Sequence, residues 1–146
     1  MKIVVQRVKE ASVTVDGKIA GQIERGLLLL VAVHRDDTEA NMIWAADKCC
    51  RLRIFEDEQG KMNRSVMDMQ GEILVVSQFT LYGELKKGTR PSFIASAGPE
   101  KAQKIYDDML VYLKERMPGR ISQGVFAAKM EVSLVNDGPV TIIVER

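Results

Sequence analysis

"GLLLLVAV", residues 26–33, is a continuous apolar run with a glycine in front and a histidine behind. It lacks the alternation of a half-exposed strand and is too short for a typical helix, so it reads as a strand covered on both faces. Such a strand needs further layers, and the flanking sequence supplies them. On its N-terminal side "KIVVQRV" (2–8) alternates as a strand. "SVTVDGKIAGQIE" (12–24) reads as two short strands around an Asp16-Gly17 turn. On its C-terminal side "DDTEANMIWAADKCCRL" (36–52) takes helical spacing, with Ala40, Ile43, Ala46 and Cys50 on one face. Asp36, Asp37 or Thr38 can cap it, and Glu39 suits the first turn.

Further out, "RIF" (53–55) returns to strand, "EDEQGKMNRS" is a polar turn region, and "GEILVVSQFTL" (71–81) is the next strand. From Tyr82 to Gly98 there is no clear period, and a loop of that length is uncommon unless it works. "PEKAQKIYDDMLVYLKERMPG" (99–119) is the best helix: Pro99 suits its first turn, and Pro118-Gly119 stops it. Ala102, Ile105, Tyr106, Met109 and Leu113 form its apolar face. Two strands, "KMEVSLV" and "VTIIVER", close the chain, joined by "NDGP" (136–139). The pattern is α/β, with a mixed, largely antiparallel sheet and two main helices in one domain, 1–146.

Composition bounds the function. With 46% hydrophobic and 28% charged residues, the chain reads as soluble and globular. Twenty-one basic and 20 acidic residues leave +1, so a nucleic acid would have to be held by a local patch. No run approaches a membrane helix, and "MKIVVQRVKE" lacks a signal peptide's apolar centre, which makes a cytoplasmic location the default. The adjacent Cys49 and Cys50 match neither a redox motif nor zinc spacing and read as reduced, buried thiols.

There is no glycine-rich dinucleotide fingerprint, no P-loop and no G-x-S-x-G. The single histidine, His34, ends an apolar strand and reads as a strand-end residue, so neither a metal nor a cofactor is expected. What remains are two polar islands on apolar strands, "SQFT" (77–80) and "NDGPVT" (136–141). Either can be structural: a self-satisfied strand end, and a hairpin of ordinary turn residues. Polar groups buried at a strand end need partners, or they cost about 1–3 kcal/mol each.

Taken together, "SQFTL", "KGTRPSF" and "NDGPVT", with "RV…ASVTVDG" and "LRIFEDEQGKMNRSV" before them, closely resemble the D-aminoacyl-tRNA deacylase family nearly end to end. The resemblance implies a homodimer whose sheet closes into a barrel-like arrangement. It also implies hydrolysis of the ester between a D-amino acid and the tRNA 3′ end, and leaves open whether mischarged glycyl-tRNA is cleaved as well. By the same resemblance Ser77, Gln78, Phe79 and Thr80 lie at the pocket for the terminal adenosine and scissile ester. Gly138-Pro139 is a cis pair that reaches into the partner subunit's pocket, with Arg7 holding that turn and Asn136 and Met130 on the substrate side. "GVFAAKM" (124–130) departs from the family's pattern at Ala127 and Lys129.

An aminoacyl ester is already activated, so a dry pocket with donors aimed at the developing oxyanion suffices. With Ser77, Phe79 and Thr80 as the catalytic stretch, main-chain N–H groups around Phe79 and Thr80 are the expected donors, because no base of evident spacing activates the Thr80 hydroxyl; attack by that hydroxyl is the alternative. Phe79 offers either a face for adenine or a core contact. Lys86, Lys87 and Arg90 form the local patch expected to meet tRNA phosphates. Two other classes stand beside the enzyme: a non-catalytic module for tRNA 3′ ends, and a small-molecule-binding dimer.

Overall fold

The computed structural model describes residues 1–86 and 88–146. Strands β1 (Lys2–Val15), β2 (Lys18–Ile23) and β3 (Gly26–Ala32) are followed by helix α1 (Glu39–Arg51). A small hairpin, β4 (Phe55–Glu56) and β5 (Met62–Arg64), precedes β6 (Glu72–Ser77) and a 3-10 turn (Phe79–Tyr82). Helix α2 (Pro99–Arg116), β7 (Ile121–Gln123) and β8 (Glu131–Glu145) complete the order. Among the described residues, no helix is long and apolar enough to cross a membrane.

The main sheet runs β2-β1-β3-β6-β7, with β8 on the other edge of β1. Pairings of β1 with β2, β3 and β8 are antiparallel; β3–β6 and β6–β7 are parallel. "KIVVQRV" and "SVTV" are one strand, and β2 and β3 continue a single ladder against it, with Val8 facing Gly26 and Ala11 facing Ile23. The Asp16-Gly17 turn forms as expected, both residues at positive φ (49° and 73°). The sheet curls until β7 meets β2: Ser122 Oγ donates to Gln22 O at 2.8 Å. A Cβ on Gly21 would lie 2.5 Å from Gln123 O, so only glycine admits this approach.

The run 26–33 is buried on both faces, as its composition requires. Leu27, Leu29 and Val31 join Ile3, Val5, Ile73 and Val75 beneath the two helices. Leu28 points the other way, into the barrel interior with Val8, Val13, Leu74 and Val76. Each such leucine or valine contributes about 1.5–3 kcal/mol of transfer free energy.

Four expectations need correction. The closing segments are not two strands joined at "NDGP" but one strand, β8. Both halves run antiparallel along β1, Thr141 opposite Gln6 and Asn136 opposite Val8, so the chain bulges at 137–140 without reversing. The strand at 71–81 stops at Ser77, and Phe79 to Tyr82 wind into the 3-10 turn. The strand placed at "RIF" begins only at Phe55 and pairs with Met62–Arg64 inside the stretch read as turn. The α1 face is rotated: Met42, Ala45, Ala46, Cys49 and Cys50 are buried, whereas Ala40 is exposed and Ile43 half-buried. Thr38 caps α1, its N–H and hydroxyl both donating to Asn41 Oδ1. Asp37 is buried and accepts from the Met1 ammonium at 2.6 Å and from His34 N–H at 2.7 Å.

Candidate active site

Parallel pairing brings the C-terminal ends of β3 and β6 side by side, with Val31 opposite Ser77. Gln78 N–H donates to Val31 O at 2.7 Å, the last rung between them. The chain then turns, and the N–H groups of Phe79 and Thr80 find no acceptor among the described residues. They open the first turn of a helical segment, where N–H groups are left unengaged by geometry.

Beside this turn lies a cleft of about 580 Å³. Ser77, Gln78 and Phe79 form one wall, Phe126 and Met130 another, and the first turns of α2 bring Ala102 and Tyr106. Tyr106 is fixed there because its hydroxyl donates to Val75 O at 2.8 Å. Burial pushes that phenol's pKa up, which keeps it neutral. No carboxylate, imidazole or amine lines the cleft among the described residues. Ser96 also lines it, and its Oγ is sealed off without a hydrogen-bond partner.

Phe79 is 55% exposed, which rules out the core-contact reading of its ring. It meets Phe93 edge-on, with centroids 5.1 Å apart, so an aromatic pair stands at the cleft mouth. Thr80 is exposed and does not line the cleft; its Oγ1 accepts from Gln78 Nε2 at 2.5 Å. Ala127 holds a left-handed conformation (φ 60°) on the rim, a position that favours glycine by about 1–2 kcal/mol.

The second island stands apart from this cleft within the chain. Gly138-Pro139 is a cis peptide, and both residues are exposed on the β8 bulge. The bulge is held from beneath. Asn136 Nδ2 donates to Arg7 O at 2.9 Å and Val140 O at 3.3 Å. Arg7 is buried; its Nε donates to Asp137 O at 3.1 Å and its Nη1 to Ile54 O at 2.5 Å.

Lys86 and Arg90 are exposed on the loop after the 3-10 turn, Lys86 beside Glu84 at 3.2 Å. Lys87 lies outside the described residues. Sequence reasoning brought Ser77, Gln78, Phe79 and Met130 to the cleft but missed Phe93, Ser96, Phe126 and Tyr106 as its lining. The signal for Phe126 was an aromatic in a short glycine- and alanine-rich stretch; Tyr106 was hidden on a helix face already read as core.

A family model described as D-Tyr-tRNA(Tyr) deacylase matches residues 4–145. The chain is 54% identical over 145 residues to a D-aminoacyl-tRNA deacylase of Petrotoga mobilis, covering 99% of this chain and 97% of that one. It is also 54% identical over 147 residues to a D-aminoacyl-tRNA deacylase of Exiguobacterium sibiricum, with 100% of each covered. A solved structure named c-Myc DNA Unwinding Element Binding Protein superposes with a TM-score of 0.95 at 44% identity, covering 100% of this chain and 99% of that chain. A probable eukaryotic D-amino acid tRNA deacylase, at 17% identity and a TM-score of 0.80, shares the fold, covering 98% of this chain and 97% of that one.

Proposed function

Since the chain belongs to the D-Tyr-tRNA(Tyr) deacylase family, we propose that it hydrolyses the ester linking a D-amino acid to the 3′ end of tRNA, releasing the amino acid and the tRNA. The observation that carries this reading is the pair of unengaged N–H groups at Phe79 and Thr80, next to a cleft free of side-chain bases. In the hydrolysis, water adds to the ester carbonyl and the carbonyl oxygen becomes an oxyanion. Two N–H groups left without an acceptor are free to stabilise it, an effect that can contribute several kcal/mol. The proton chemistry then falls to water or to the neighbouring ribose hydroxyl. Exposed Phe79 offers a stacking face for the terminal adenine.

The protein acts as a homodimer in this reading, as one catalytic unit over 1–146 in the cytoplasm. Gly138-Pro139 is exposed and takes no part in lining its own chain's cleft, which suits insertion into a partner's cleft. There, main chain stiffened by Arg7 and Asn136 reads the arrangement at Cα and excludes the L-isomer. Lys86, Lys87 and Arg90 contact tRNA phosphates.

Matched D- and L-aminoacyl-tRNA, with glycyl-tRNA alongside, test the reading. Turnover of the D-ester with the L-ester spared is expected. Binding without turnover would favour a nucleic-acid-binding module. The name of the solved relative at 44% identity makes a DNA duplex the competitor to include.

A further inference from the structure

A second cleft, of about 440 Å³, is lined by Arg7, Lys9, Arg25, Glu56 and Asp137. Lys9 and Arg25 share this cleft at the gap between two runs of ladder, past the Val8–Gly26 pair of β1 with β3 and short of the Ala11–Ile23 pair of β1 with β2. Two like charges lining one small cleft repel each other unless a counterion stands between them. Both side chains belong to exposed residues, and neither forms an ion pair among the described residues. Arg7 is committed elsewhere, its Nε 3.1 Å from Asp137 Oδ2, and Glu56 pairs with neither cation. Arg25 is not loose: its guanidinium carbon sits 5.8 Å from the centroid of the buried Phe55 ring.

We infer that Lys9 and Arg25 bind a backbone phosphate of the tRNA 3′ end. The inference rests on the deacylase reading. A phosphodiester supplies the counterion this pair lacks, and its position follows from the bulge. Asp137 is both a wall of this cleft and the residue before Gly138, so the cleft travels with Gly138-Pro139 wherever the bulge docks. If the bulge meets the terminal aminoacyl group, the phosphates just before that nucleotide fall at Lys9 and Arg25. These residues therefore position substrate from the subunit that lends the bulge. They take no part in the chemistry.

Two substrates distinguish this role: D-aminoacyl-tRNA, and D-aminoacyl-adenosine, which carries no phosphate. Lys9→Ala or Arg25→Ala should raise KM for the tRNA about three- to tenfold and leave kcat alone, with the slope of log KM against log salt reduced by about 1 for each cation removed. Hydrolysis of D-aminoacyl-adenosine should not change. Glu56→Gln should lower KM for the tRNA, because it removes a negative charge from the wall of the cleft that would receive the phosphate. Thermal stability of Lys9→Ala should hold or rise as the mutual repulsion goes. Equal losses on both substrates, or an unchanged KM and salt slope on tRNA, would overturn the assignment. A wild type that hydrolyses neither substrate would instead remove the deacylase reading. Filter binding of uncharged tRNA would then decide the phosphate site by the same change in salt slope.

Discussion

Arg7 and Asp137 are joined twice through one nitrogen: Arg7 Nε lies 3.1 Å from the main-chain oxygen of Asp137 and 3.1 Å from its carboxylate Oδ2. The same guanidinium reaches Ile54 O, so one buried side chain ties the β8 bulge to the segment before β4. Arg7→Ala should cost about 3 kcal/mol by stranding these acceptors, and Arg7→Lys roughly half of that, because an ammonium lacks the planar fork. Urea denaturation measures both. Activity of Arg7→Lys should fall further than its stability loss explains, since the bulge loses its support.

Gly138→Ala tests the bulge more directly. A Cβ there would sit 3.2 Å from Asn136 Oδ1, tight enough to push the carboxamide that holds Arg7 O and Val140 O. The site is exposed, so the fold should survive with a loss of about 1 kcal/mol or less. Hydrolysis of D-aminoacyl-tRNA should fall by at least about tenfold, or the L-ester should begin to be cleaved. A folded Gly138→Ala variant with unchanged rate and selectivity would take the chiral filter away from this segment.

Thr80 separates two chemistries. Its hydroxyl accepts a hydrogen bond from Gln78 and does not line the cleft, while its N–H stays in place whatever the side chain is. Thr80→Ala should therefore keep activity within about tenfold of wild type. Capture of an aminoacyl adduct on the Thr80 oxygen would move the chemistry to the hydroxyl.

The cysteines give a prediction about pH. Burial raises the Cys49 thiol from an ordinary 9.0 to about 12, and burial with help from Asp47 raises Cys50 to about 11. The folded state holds these thiols protonated more firmly than the unfolded chain does. Their contribution to stability is thus complete below about pH 9 and is lost as pH climbs toward the folded values. Ellman's reagent at pH 8 should find no reactive thiol in the native protein and two after unfolding.

Strong periods made the scaffold legible. "GLLLLVAV" suited a strand with two buried faces, and α2 announced itself by Pro99, its apolar face and Pro118-Gly119. What stayed hidden depended on partners far along the chain. Ile121–Gln123 is a strand only because β6 lies beside it. Asn136 to Pro139 have the composition of a turn, yet β1 pairs with the residues on both sides and forbids a reversal. At the site, Ser77, Gln78 and Phe79 could be placed because a polar cluster on an apolar strand demands a reason. Phe126 and Tyr106 could not, since an aromatic on a helix face or in a short loop has a bland explanation until the two meet across a cavity.

The bulge in β8 has a consequence for colloidal behaviour. Among the described residues β8 pairs with β1 alone, so one side of a fifteen-residue strand is left as a row of open donors and acceptors on which another chain could polymerise. Residues 137–140 break that row near its middle, and Pro139 has no N–H to offer. Neither remaining stretch is long enough to template a straight added strand of the full length. The same four residues that crowd Arg7 from above thereby guard the sheet's open border against runaway strand addition.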